Sequence, residues 1–295
     1  MTRARATLIG VSAILLWSLL ALLTVGTAPV PPFLLNTLCF SIGGGLGLIW
    51  LLVTGALAQL RGVPLRVYAF GTLGLFGYHA LYFSALRMAP AAEAGLIAYL
   101  WPLFIVLLSG LLPGERLRAL HLVGAAMAFA GAALLVLRGG GGFAASAAPG
   151  LGLAFLCAIT WSVYSVASRV MGSVPSAAVV VYCLATAALS LVAHLLFETT
   201  VWPQQAVGWF AVLGLGLGPV GLAFFTWDIG MKKGDIQLLG VASYAAPLLS
   251  TLALIGAGIA RPSPVLLLSA VLITAGALLA ARASLSKRAS LSKVV

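Results

Sequence analysis

The sequence predicts an all-α integral membrane protein, with ten transmembrane helices folded as two inverted five-helix repeats around a central cavity. Three observations carry this reading. Of 295 residues, 62% are hydrophobic and only 7% are charged. A water-soluble domain carries about 25% charged residues, so this chain has too few to cover a water-facing surface. Apolar runs long enough to cross a hydrocarbon core, about 20 residues as a helix, recur along it. One aromatic-proline pattern occurs twice: Tyr99, Pro102 and Leu103 return as Tyr244, Pro247 and Leu248, at one shift (244 − 99 = 145).

The spans fall near 7–25, 33–55, 67–87, 91–112, 119–137, 150–171, 176–197, 206–231, 235–258 and 263–282. Arg3 and Arg5 before the first run resemble the start of a signal peptide. Its full spanning length and the spans that follow favour an uncleaved first helix. Most connections are short and carry turn residues, such as Pro113-Gly114 and Pro262. Residues 139–149, rich in Gly, Ala and Ser, read as a linker between a first repeat over 1–138 and a second over 150–282. Residues 283–295 form a polar, basic tail, expected to be disordered and to touch anionic headgroups.

With the N-terminus inside, 13 of the 16 Lys and Arg fall in cytoplasmic segments and three (Arg87, Arg138, Arg261) fall outside. That asymmetry places both termini in the cytoplasm. It also accounts for the net charge of +11 without a nucleic-acid partner. The partners expected are the lipid bilayer and a small-molecule substrate, with the protein a monomer or a homodimer.

The repeat extends beyond one motif. Trp17-Ser18 matches Trp161-Ser162, Tyr82 matches Trp227, Gly131 matches Gly276 and Arg116 matches Arg261. Five spans is an odd number, so the second copy inserts upside down. Inverted repeats of this kind mark secondary transporters, with the substrate near the midplane between the halves.

Prolines inside spans remove a helical hydrogen bond and bend the chain. Pro102, Pro219 and Pro247 are therefore candidate hinges or gates. Large amphipathic rings stand around them: Trp17, Tyr78, Tyr82, Tyr99, Trp101, Trp161, Tyr164, Trp227 and Tyr244. Interface belts explain Trp202 and Trp209, but not rings at mid-depth. The nine rings, with His79 at mid-depth in the third span, are the candidate substrate-binding residues. For His79 the other reading is a neutral imidazole bonded across to another helix. Asp228 and Lys232, four apart, read as a local ion pair. With no carboxylate at the centre, the sequence fits a facilitator or weakly coupled exporter better than an antiporter built on a buried acid. Cys39, Cys157 and Cys183 read as small buried residues. His79, His121 and His194 lie in separate spans, and neither HExxH nor GxSxG occurs. The sequence thus predicts no enzyme, no catalytic residue, no metal and no cofactor.

The Trp17-Ser18 pair, the Tyr99-x-x-Pro102-Leu103 core and the Gly114-Glu115-Arg116 loop resemble the drug/metabolite transporter superfamily, in its ten-helix branch with two EamA-type repeats. The resemblance spans residues 7–282. It implies a bacterial inner-membrane secondary transporter working by alternating access. Aromatic and other neutral amino acids are the implied cargo, with cationic drugs such as viologens the alternative; a non-transport membrane scaffold is the reading from another class. The helices corresponding to spans five and ten can mediate dimers in that superfamily. One departure stands out. Glu115 follows the fourth span, but the equivalent position of the second repeat is Ala260 beside Arg261, so the second loop should lack the cap or salt bridge that Glu115 makes.

Overall fold

The structure is a computed structural model that describes residues 1–137, 145–259 and 261–291, without the side chains of 92, 135, 136 and 285–291. Arg138, Ala260, Lys293 and most of the linker lie outside the described residues, and so do the side chains of Lys287 and Arg288. All of the described regular structure is helical. In chain order it comprises α1 (Arg3–Ser18), α2 (Leu20–Gly26), α3 (Pro32–Val53), α4 (Leu65–Met88), α5 (Ala91–Ala98), α6 (Trp101–Ser109) and α7 (Ala119–Val136). After the linker come α8 (Ala148–Val170), α9 (Ala178–Phe197), α10 (Ala206–Leu217), a π-helical turn (Gly218–Leu222), α11 (Ala223–Lys233), α12 (Ile236–Ala242), α13 (Ala245–Gly256) and α14 (Pro264–Leu291).

Among the described residues, seven helical stretches are long and apolar enough to cross a membrane, and Glu93–Ser109 and Ala119–Leu134 are shorter apolar helices. α4 is 24 residues long but less apolar, because Arg66, Tyr78, His79, Tyr82 and Arg87 lie within it.

The prolines act at helix starts rather than at helix centres. The chain breaks at Tyr99-Leu100, and Pro102 then occupies the first turn of α6. Ser243-Tyr244 separates α12 from α13, with Pro247 in the first turn of α13. First-turn N–H groups have no intrahelical acceptor, so proline loses nothing there. Pro219 lies in the π-helical turn. A fourth break, at Leu19, has no proline. There Ser18 donates its hydroxyl back to the Leu15 carbonyl at 2.6 Å, a bond that bends helices. The expected disorder of the tail is not seen for 283–291, where α14 continues to Leu291; the sequence after Gly276 has neither Gly nor Pro to stop it.

Backbones meet where side chains are absent. A Cβ on Gly43 of α3 would lie 2.5 Å from Gly221 Cα, in the π-helical turn. α7 and α14 cross with Gly124 against the Gly276 carbonyl, and Gly131 against Ser269. The 145 shift that carries Gly131 to Gly276 also carries Gly124 to Ser269, so one contact is the image of the other. Close approach of this kind supplies dispersion contacts that lipid cannot match. The two halves are not in identical states, however. α6 packs on α12, whereas their counterparts α13 and α5 scarcely touch.

Candidate functional site

Four tryptophans meet at the centre, two from each half. Trp17 lies 5.8 Å from Trp161 and 5.0 Å from Trp227 between ring centroids. Trp101 lies 6.2 Å from Trp17, 6.4 Å from Trp161 and 5.8 Å from Trp227. Most of these pairs are edge-to-face, the arrangement favoured by the ring quadrupole. Two indole N–H groups have partners. Trp17 donates to the Pro219 carbonyl at 3.0 Å, tying α1 to the π-helical turn. Trp227 donates to Ser165 Oγ at 3.0 Å. Each bond satisfies a donor that would otherwise be buried at a cost. The residues following Trp17 and Trp161 differ in role. Ser162 shares its hydroxyl proton between the Ala158 carbonyl of its own helix at 2.6 Å and the Trp101 carbonyl at 2.9 Å, whereas Ser18 bonds within its own helix alone.

Tyr78, stacked on Tyr82 at 6.1 Å, joins this cluster through Trp161 at 5.4 Å, and Tyr164 does so through Trp161 at 5.2 Å. Among the described residues the hydroxyls of Tyr78, Tyr82 and Tyr99 bond to no protein atom. Phenyl rings that the sequence did not single out complete the centre. Phe224 lies 5.7 Å from Trp161 and 5.3 Å from Phe40. A phenylalanine in an apolar span has no polar handle to distinguish it from a lipid-facing one.

Among the described residues His79 makes no bond across to another helix. Its Nδ1 pairs with the Leu75 carbonyl of its own helix at 2.7 Å. That places the ring proton on Nδ1 and leaves Nε2 as an acceptor. The ring lies edge-on to Phe40 at 5.1 Å.

Tyr99 and Tyr244 are not brought to the tryptophans. Both pack instead on a second cluster formed by Val106, Ala125, Ala128, Val241 and Ala280. Tyr244 is fully buried, and its hydroxyl accepts the Leu103 N–H at 3.1 Å. Two surface grooves, of about 390 and 270 Å³, lie elsewhere: one between α7 and α14, the other beside Phe70 and Tyr164.

The charges gather at the two ends. At the end bearing the N-terminus, Glu115 accepts from Arg169 at 2.5 Å and from Arg3 at 3.3 Å. Arg3 also reaches Asp235 at 3.3 Å. Arg169 donates further to the carbonyls of Met231 and Gly234, at 3.0 and 2.8 Å. Arg3 and Glu115 come from the first half, Arg169 and Asp235 from the second, so the network ties the halves together. Under the repeat, Arg3, Glu115 and Asp235 correspond to Ala147, Ala260 and Pro90, none of which is charged.

At the other end Glu198 is buried. It accepts the N–H groups of Phe33 and Leu34 at 3.0–3.1 Å and so caps α3. It pairs with Arg87 and with His194 Nδ1, both at 3.0 Å. Asp228 and Lys232 form the expected local pair at 2.8 Å, and Ser176 donates to the same carboxylate at 2.5 Å. Cys39, Cys157 and Cys183 are free and buried.

Comparison with known proteins gives concordant matches. The model of the EamA-like transporter family matches residues 4–137 and again 148–282. The aromatic amino acid exporter YddG of Ancylobacter novellus is 58% identical over 268 residues, which cover 90% of this chain and 93% of that protein. Proteins of the same name from Salmonella typhimurium and Escherichia coli are 28% and 27% identical, each over 85% of this chain and 88% of the relative. A crystal structure 57% identical superposes with a TM-score of 0.90, over 95% of this chain and 98% of the other.

Proposed function

The chain belongs to the EamA-like transporter family, and on that premise we propose that it is a secondary exporter of aromatic amino acids. It crosses the bacterial inner membrane ten times, as two inverted five-helix repeats with both termini in the cytoplasm. The observation that carries the cargo class is the meeting of Trp17, Trp101, Trp161 and Trp227 within 5.0–6.4 Å, contributed equally by the two halves. Rings in this arrangement present faces and edges on which an aromatic side chain stacks. Tyr78 and Tyr82 border them with hydroxyls available to the polar part of a substrate. Entry requires these rings to part, and rocking about the breaks near Pro102, Pro219 and Pro247 would part them. The high identity to an exporter whose name specifies aromatic amino acids supports the same reading.

Transport proceeds by alternating access. On this topology the Arg3–Glu115–Arg169–Asp235 network lies at the cytoplasmic end, as does the packing of α6 on α12. The described conformation is therefore closed toward the cytoplasm. The carboxylates sit in the end networks, in the Asp228–Lys232 pair or, for Glu93, in the outer first turn of α5. None stands among the tryptophans, which favours uncoupled or weakly coupled export. His79, whose Nδ1 is engaged by the Leu75 carbonyl, turns Nε2 to the site as an acceptor. Tyr164 supports Trp161, and Tyr99 and Tyr244 act at the helix breaks.

Equilibrium binding of labelled phenylalanine to the purified protein tests the assignment. Saturable binding is expected, weakened about two- to tenfold in Trp161→Phe while the protein stays folded, since an aromatic contact carries about 0.5–1.5 kcal/mol beyond its area. Binding of methylviologen with no competition by phenylalanine would instead make a cationic amphiphile the cargo.

A further inference from the structure

The breaks in the fourth and ninth spans are repeat equivalents, yet among the described residues only one of them is held by hydrogen bonds from the rest of the bundle. The first turn of α6 is gripped at two points. Its Leu103 N–H is donated to the Tyr244 hydroxyl at 3.1 Å, and its Trp101 carbonyl lies 2.9 Å from Ser162 Oγ, whose one proton is shared with the Ala158 carbonyl of its own helix at 2.6 Å. The 145 shift carries Leu103 to Leu248, Trp101 to Ala246 and Tyr99 to Tyr244; the matched Trp-Ser pairs carry Ser18 to Ser162. Neither image bond is made. The Tyr99 hydroxyl has no protein partner among the described residues, and Ser18 bonds to Leu15 of its own helix. The asymmetry coincides with the packing, because α6 rests on α12 while α5 and α13 are apart.

We infer that the two first turns are clamped alternately. Tyr244 and Ser162 hold α6 in the state closed toward the cytoplasm, and Tyr99 and Ser18 hold α13 in the opposite state. This rests on the inverted-repeat transporter reading above. The physical reason is the one that governs every helix start: first-turn N–H groups lack intrahelical acceptors, and inside lipid no water replaces them. A phenol on the partner repeat supplies the acceptor. When the inverted halves exchange conformations, the image phenol performs the same service on the other side. Tyr99 and Tyr244 are thus positioning residues of the transport cycle rather than contacts to cargo. Their cluster of alanines and valines, apart from the tryptophans, accords with that role.

The test uses the full-length protein in detergent or proteoliposomes. Gln237→Cys places a thiol in the first turn of α12, at a site only 1% exposed here, where a maleimide reaches it when the cytoplasmic end opens. The native cysteines are replaced by alanine. Removing one hydroxyl should change the open population by about fivefold, the factor equivalent to one hydrogen bond of ordinary net strength. Tyr244→Phe should speed labelling, Tyr99→Phe should slow it, and the double variant should return within about twofold of the parent. Ser162→Ala and Ser18→Ala should follow the same signs. Spin labels on Leu111 and Lys233, both exposed, give a second reading of the same opening that does not depend on the Gln237 site. Equal signs for the two phenylalanine variants, or no change in either, would overturn the exchange. No substrate enters the assay, so a protein that failed to carry amino acids would defeat the transport reading and still give a readable result here.

Discussion

Glu115→Gln isolates the ion network at the end bearing the N-terminus. The Glu115 side chain is 6% exposed, Arg169 is 16% exposed and Arg3 is 32% exposed. Cutting one member of a fully buried pair costs about 3–5 kcal/mol because the other charge is stranded. Arg169 is not stranded, since it keeps the Met231 and Gly234 carbonyls, and Arg3 is exposed enough for water to screen much of its share. What is lost is chiefly one hydrogen bond between charged groups, about 2 kcal/mol. The loss falls on the state that makes the contact. The conformation open at that end should therefore gain about thirtyfold in population, at 1.4 kcal/mol per factor of ten. Maleimide labelling of Gln237→Cys reads that population directly. Glu198→Gln is the control, because it perturbs a buried carboxylate at the opposite end and should not accelerate labelling. A labelling rate in Glu115→Gln equal to that of the parent would show that the network does not hold the halves closed.

Trp17→Phe keeps the ring contacts and removes the donor to the Pro219 carbonyl; a loss of about 1 kcal/mol is expected, read as a lower melting temperature. Gly43→Val should destabilise by about 1–3 kcal/mol or more, because its side chain would meet the Gly221 backbone; thermal unfolding in detergent measures it, and unchanged stability would refute the close approach. Asp228→Asn leaves Lys232, whose side chain is 3% exposed, with the Val174 carbonyl at 2.9 Å as its remaining acceptor. It should cost about 3 kcal/mol of stability and be rescued in part by Asp228→Asn with Lys232→Met. Phenylalanine affinity should be retained in that double variant, since neither residue belongs to the tryptophan cluster.

Much of the fold was legible because membrane helices announce themselves by length and apolarity. The breaks beside Pro102, Pro219 and Pro247 followed from the missing proline N–H. The placement of two of them, two to four residues before Pro102 and Pro247, did not, because it depends on which turn can do without its hydrogen bonds. The break at Leu19 has no backbone marker at all and rests on a serine hydroxyl. In the site, mid-span tryptophans were conspicuous as indoles that need partners, and all four met. Tyr99 and Tyr244 carry the same signal but face a different cluster, since each lies at a break that turns it away from Trp101 and Trp227. Phe40 and Phe224 carry no signal of their own. The networks around Glu115 and Glu198 were hidden for another reason: carboxylates in short loops read as solvated until packing shows which arginine reaches them. The one sequence clue was the unpaired repeat position, Glu115 against Ala260.

Counterflow in proteoliposomes tests the transport assignment most directly: purified protein, unlabelled phenylalanine inside, a labelled trace outside and no ion gradient. The expected result is transient accumulation of label, which would show a carrier of aromatic amino acids that turns over without a proton gradient. No accumulation by folded protein, with or without an imposed pH gradient, would contradict it.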